Sequence, residues 1–225
     1  YKRQGLQADL AQRIRGLAQA RGMTLSSLTL SCMTGYSMTG SFMQGNGVGA
    51  AEPAVITVRG EGPVGAQAFF ALVNEAVAAS PALASMTQPL DNTFALYVNG
   101  LRRVVTTLPA STAPSAPDPL KTYRAPPAPL TGSEDDLIVK TGITREGSIQ
   151  IATPAAQPGA PIVRHVEGHC ATDLATGDSV TRVCLQLPGM SEFAFRTSTN
   201  SQDRAPSGLA LLSAGVVFCY MTQLS

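Results

Sequence analysis

The most constraining stretch of the chain is Ser207–Leu224, SGLALLSAGVVFCYMTQL, which contains no charged residue. It is long enough for roughly five helical turns. Leu211, Ala214 and Phe218 recur at helical spacing with Gly215 and Cys219 alongside, so a helix buried on most of its circumference is expected. Ser207, after Ala205-Pro206, predicts the N-cap. The small residues Ser213, Ala214 and Gly215 invite a second backbone to approach closely. A lone thiol inside such a helix is ordinarily packing, because free cysteine behaves as a small hydrophobe. It becomes a nucleophile only where neighbouring groups favour the thiolate.

A helix this apolar needs a core around it, and the composition allows one. The chain has 225 residues, 44% of them apolar, which fits one large domain or two small ones. A formal net charge of +1, with 14% charged residues, gives no electrostatic case for a nucleic-acid partner or an acidic membrane surface. No unbroken apolar run reaches the roughly 18–20 residues that span a bilayer. No charged-then-apolar leader opens the sequence, and four cysteines fall short of a secreted disulfide scaffold. A cytoplasmic protein with no membrane partner is the expectation.

Along the chain, Gln7 to Arg21 reads as an amphipathic helix with Leu6, Leu10, Ile14 and Leu17 on one face and Gly22 as its stop. Leu25 to Phe42 reads as one or two strands, from the alternation of Leu28, Leu30 and Cys32. Ala54–Arg59 is a further strand. Ala66–Ala79 is a helix with Phe69, Leu72, Val73 and Val77 facing inward, broken by Ser80-Pro81. Thr93–Val98 and Leu101–Thr107 flank Asn99-Gly100, a hairpin signal. Residues 108–133, rich in Pro and Ala, read as an exposed linker. Strands are then expected near Asp136–Lys140, Ser148–Ala152, Ile162–Gly168, Ser179–Leu187 and Glu192–Thr197.

Leu211-x-x-Ala214-Gly215-x-x-x-Cys219 resembles the central-helix motif of the OsmC/Ohr family, the osmotically inducible and organic-hydroperoxide-resistance proteins. In that family this helix presents a peroxide-reactive thiol. The resemblance implies an α+β fold with antiparallel sheets wrapped around two central helices, and an intertwined homodimer. The halves stand in unusual order: residues 1–107 resemble the C-terminal half of the family fold, and residues 134–225 resemble its β-meander and thiol helix. A permuted single domain and a piece of a longer tandem protein both account for this order. The family's second helix ends in a partner cysteine before proline; here Ser80 stands at that position, before Pro81.

The implied activity is reduction of organic hydroperoxides through Cys219, in redox stress defence. The family pattern places an arginine and a glutamate near the thiol; Arg124, Arg164, Arg182, Arg196 and Arg204 are the arginine candidates, and sequence singles out no glutamate. With Ser80 in the partner's place the usual disulfide cannot form, and resolution needs another cysteine or an external thiol. The alternative is a catalytically degenerate relative that binds a small apolar ligand or acts as a structural module.

Other patterns carry less. Cys170 and Cys184 flank a turn and either pair or stay as two buried thiols. His165, Glu167 and His169 alternate on one strand face with Asp173 nearby, a pattern common on polar sheet faces, and no metal site is expected. Gly45-Asn-Gly-Val-Gly49 lacks the Lys-Ser/Thr of a phosphate loop, and no nucleophile elbow is present. No cofactor is expected.

Overall fold

The computed structural model describes residues 2–89, 91, 93–99, 101–114, 137–143, 162–187, 189–199 and 205–224. Tyr1–Ala84 together with Thr131–Ser225 form one compact unit, and Ser85–Leu130 form a second. The class is α+β with antiparallel sheet, as expected.

In the larger unit, strand β1 (Ser27–Thr39) is the spine. One edge pairs with β7 (Ile162–Thr172); the other pairs first with β3 (Val55–Glu61), then with β2 (Val48–Ala51). The sheet continues through β8 (Ser179–Leu185) and β9 (Ser191–Thr197) to β6 (Ile138–Ile143), every neighbour antiparallel. Strand alternation puts Leu28, Leu30 and Cys32 on the buried face. Against them lies helix α1 (Lys2–Ala20), through Leu10, Ala11, Ile14 and Ala18. Leu72 and Ala76 of α2 (Ala66–Ala78) complete this core. Val77, expected inward on α2, is exposed. A short helix α3 (Pro81–Thr87) follows, and helix α4 (Gly208–Leu224) packs on α1.

The helix at the centre of this face is α1, and it begins several residues earlier than its periodicity predicts. Buried polar contacts hold it down. The fully buried Gln7 donates to the carbonyls of Gly168 (3.0 Å) and Leu30 (3.4 Å). Arg15 donates to the carbonyls of Leu174 (2.7 Å) and Ala175 (2.8 Å) in the β7–β8 turn. That turn is organised by the exposed Asp173, whose carboxylate accepts from the backbone N–H groups of Ala175 (2.8 Å) and Thr176 (3.3 Å). These bonds, with Arg15 nearby, hold the Asp173 carboxyl below its ordinary range.

In the smaller unit, β4 (Leu96–Val98) and β5 (Leu101–Arg103) pair antiparallel beside Asn99, which takes a left-handed φ of 51° as the hairpin signal requires. The strand expected at Ser148–Ala152, and most of the linker, lie outside the described residues. No single described helix is long and apolar enough to cross a membrane; α2 with α3, a bent pair, passes by length and composition only.

Candidate functional site

Helices α1 and α4 run antiparallel and touch through glycines. A Cβ on Gly5 would fall against the Leu212 backbone and 2.6 Å from the Gly208 carbonyl oxygen; one on Gly208 would fall 2.8 Å from the Gly5 oxygen. A close approach thus sits at Gly5 and Gly208. Ser207 caps α4 as predicted, its Oγ accepting from the Ala210 N–H at 3.2 Å. Leu211 and Leu212 are buried, Leu212 packing with Leu6 and Ala82.

Over residues 213–219 α4 is covered on one stripe only, with Gly215 buried. Val216, Val217 and Phe218 are 46%, 56% and 50% exposed, which corrects the expectation of a helix buried on most of its circumference. Cys219 is exposed as well. It lines an open groove of about 560 Å³ with Lys2, Arg3, Tyr36, Val166, Val183 and Phe218, among others. The strand residues of this wall lie on the helix side of the sheet: Tyr36 shares the alternation of Leu30, and Val166 and Val183 pair opposite Thr34 and Gly168.

Arg3 is fixed in place there. Its Nη1 donates to the Val166 carbonyl (3.3 Å), its Nη2 donates to the Tyr36 hydroxyl, and its guanidinium carbon lies 4.7 Å from the Tyr36 ring centre. Beneath lies Cys32, whose thiol burial pushes above its ordinary value, with Arg3 and Thr34 opposing that shift. The groove therefore combines an exposed thiol, two cationic side chains and an apolar wall.

Among the described residues, none of the arginines considered from sequence lines this groove. Arg164 donates to the neighbouring Val163 carbonyl at 3.1 Å, and Arg182 lines a different groove on the opposite sheet face. Arg196 stands opposite Val180 on that same outer face, and Arg124 and Arg204 lie outside the described residues. Lys2 and Arg3 sit in the uncapped stretch before the recognisable periodicity. Their only sequence signal is adjacency to the first turn of α1.

Ser80 lies at the other end of the helix pair. It is buried, its hydroxyl donates to Asp9 Oδ2 at 2.7 Å, and it accepts from the Leu83 N–H at 3.1 Å as the cap of α3. The same Asp9 oxygen receives Arg13 Nε at 3.0 Å. Asp9 abuts Gly208, and from Gly208 to Cys219 the helix rises roughly 16 Å. Ser80 and Cys219 are thus at opposite ends of α4.

Cys170 and Cys184 do not face each other. Cys170 pairs across from Leu30 on the buried face, whereas Cys184 pairs across from Glu167 on the outer face. All four cysteines are thiols. Burial pushes Cys170 above its ordinary value despite hydrogen bonds to Thr181, Thr172 and Ser179. His165, Glu167 and His169 do share one face; His169 Nε2 lies 2.8 Å from Glu167, and His165 Nε2 lies 3.8 Å from Glu52. Among the described residues no three His, Cys, Asp or Glu side chains gather as metal ligands.

No family model matches the chain, and no curated protein or solved structure matches it either.

Proposed function

We propose that the chain is an OsmC/Ohr-like thiol-dependent peroxidase that reduces organic hydroperoxides at Cys219 and works as a homodimer. The observation that carries this reading is the groove in which Cys219 stands exposed beside Arg3 and Lys2, with Val166, Val183 and Phe218 as an apolar wall. The Cys219 thiolate attacks one peroxide oxygen; the S–O bond forms as the O–O bond breaks, and the leaving alkoxide takes a proton and departs as the alcohol. Sulfur is oxidised to the sulfenic acid and the peroxide is reduced. The held guanidinium of Arg3 supplies charge where the alkoxide develops. The apolar wall suits an alkyl group. With Ser80 engaged as a helix cap, two equivalents of an external thiol return the sulfenic acid to thiol, yielding a disulfide and water. The exposed Val216, Val217 and Phe218 favour a second copy covering α4.

The test is reaction of the reduced protein with an alkyl hydroperoxide, followed by intact mass and by sulfenic-acid trapping. One added oxygen, trapped at Cys219 and lost in Cys219→Ser, is expected; Arg3→Gln should slow the reaction at least about tenfold. A folded protein that leaves Cys219 unoxidised would sink the peroxidase reading. The second reading, an apolar-ligand module, would then stand; it is favoured by the anchoring of Ser80 far from the thiol.

A further inference from the structure

The outer face of the sheet, away from the helices, carries a second groove of about 540 Å³. The strand registers define its geometry. In one row across the sheet Thr57, Ser31, His169 and Arg182 stand side by side; in the next stand Arg59, Thr29, Ala171 and Val180. Successive side chains of a strand alternate between faces, so these residues project to the same side. Small residues make the floor at Thr29, Ser31 and Ala171, and the two arginines rise at its margins on β3 and β8. Those strands are three spacings apart, roughly 14 Å, which two arginine side chains span from either side.

Among the described residues Arg59 and Arg182 make no ion pair, although Glu61 follows Arg59 on the same face of β3. Among the described residues the groove has one carboxylate, Glu167, engaged at both oxygens, Oε1 by His169 and Oε2 by the Gln186 amide. What remains is two guanidinium forks around the hydroxyls of Thr29, Ser31 and Thr57. Guanidinium forks match phosphate oxygens in pairs, and hydroxyls satisfy those the forks leave over.

We propose that this face binds a small molecule through a phosphate monoester group, with Arg59 and Arg182 as its charge partners and the three hydroxyls as further donors. A carboxylate has too few oxygens to engage both forks and the floor. The net charge of +1 supplies no long-range attraction for a polyanion, so the ligand is small. The volume is in the range of small-molecule sites. The site is separate from the Cys219 groove, and it stands or falls independently of the peroxidase reading.

The experiment is titration of the full chain with inorganic phosphate at constant ionic strength, followed by amide chemical shifts. Saturable shifts at Ser31, Thr57 and Arg182 are expected, abolished in Arg59→Gln/Arg182→Gln and retained in Cys219→Ser. Both arginines are solvent-exposed, so the double variant folds, which its unperturbed remaining spectrum would verify. Absence of saturation, or shifts that survive the double substitution, would overturn the proposal. So would equal shifts with acetate, because the site would then read charge alone.

Discussion

The two ends of the α1–α4 pair use similar residue types for opposite purposes. At one end the buried Asp9 and Ser80 and the partly buried Arg13 satisfy each other, beside glycines so close that no Cβ fits. At the other, Arg3, Tyr36 and Cys219 line a groove open to solvent. A groove of about 470 Å³ reaches Asp9 and Arg13 at the first end, but their charges are already paired with each other, whereas at the second end the thiol itself is exposed. The two ends thus differ in whether their polar groups already have partners within the helix pair, not in whether a groove is present.

The comparison breaks most severely at the crossing itself. Gly208→Val should destabilise the fold by at least about 3 kcal/mol, because its side chain meets backbone that no rotamer change can move. A urea midpoint equal to that of the parent chain would show that the helices do not touch there. Asp9→Ala leaves the buried Ser80 hydroxyl and the half-exposed Arg13 without their shared acceptor, and about 2 kcal/mol of lost stability is expected from the same measurement. By contrast Cys219→Ser should change stability by no more than about 0.5 kcal/mol, since the thiol is exposed.

A pH series sharpens the contrast between thiols. Burial raises Cys32 and Cys170 in the folded state, so the fold holds their protons more tightly than the unfolded chain does. Their contribution is fully present below the unfolded thiol range and is lost as pH rises through the folded values. Unfolding midpoints should therefore decline at alkaline pH, and less so in Cys170→Ala than in the parent. Near neutral pH an alkylating reagent should modify Cys219 before either buried thiol. The smallest expected effect is none: Ser80→Cys should form no intrachain disulfide with Cys219 under oxidant, and a two-dalton mass loss joining those two positions would refute the opposite-ends placement.

Much of the sheet was legible because alternation is a local signal. Leu28, Leu30 and Cys32 announce the buried face of β1, and Ala54–Arg59 reads as a strand from its own residues, observed as Val55–Glu61. The capped start of α4 was legible from Ser207 for the same reason. The first turn of α1 was not, since Lys2-Arg3-Gln4-Gly5 has neither cap nor apolar period, and Gly5 lowers helix propensity. Gly5 is there for a contact with α4, a tertiary cause invisible in a local window. Arg3 was hidden likewise, because its neighbours Tyr36, Val166 and Cys219 come from three other elements. The exposure of Val216–Phe218 ran against composition alone, which cannot tell which side of an apolar helix has a partner.

The position of β1 between β3 and β7 also sets an order of events during synthesis. β1 closes its edge with β3 through a short connection, but its pairing with β7 waits until the chain has been extended beyond Ile162. At about 5–20 residues per second, that edge waits on the order of ten seconds with its amides unpaired. Long-range pairing of this kind is slow to form and leaves a template for wrong partners. Chains halted on the ribosome before Ile162 should exchange the amides of Thr29–Met38 that face β7, and protection should appear only once β7 has emerged.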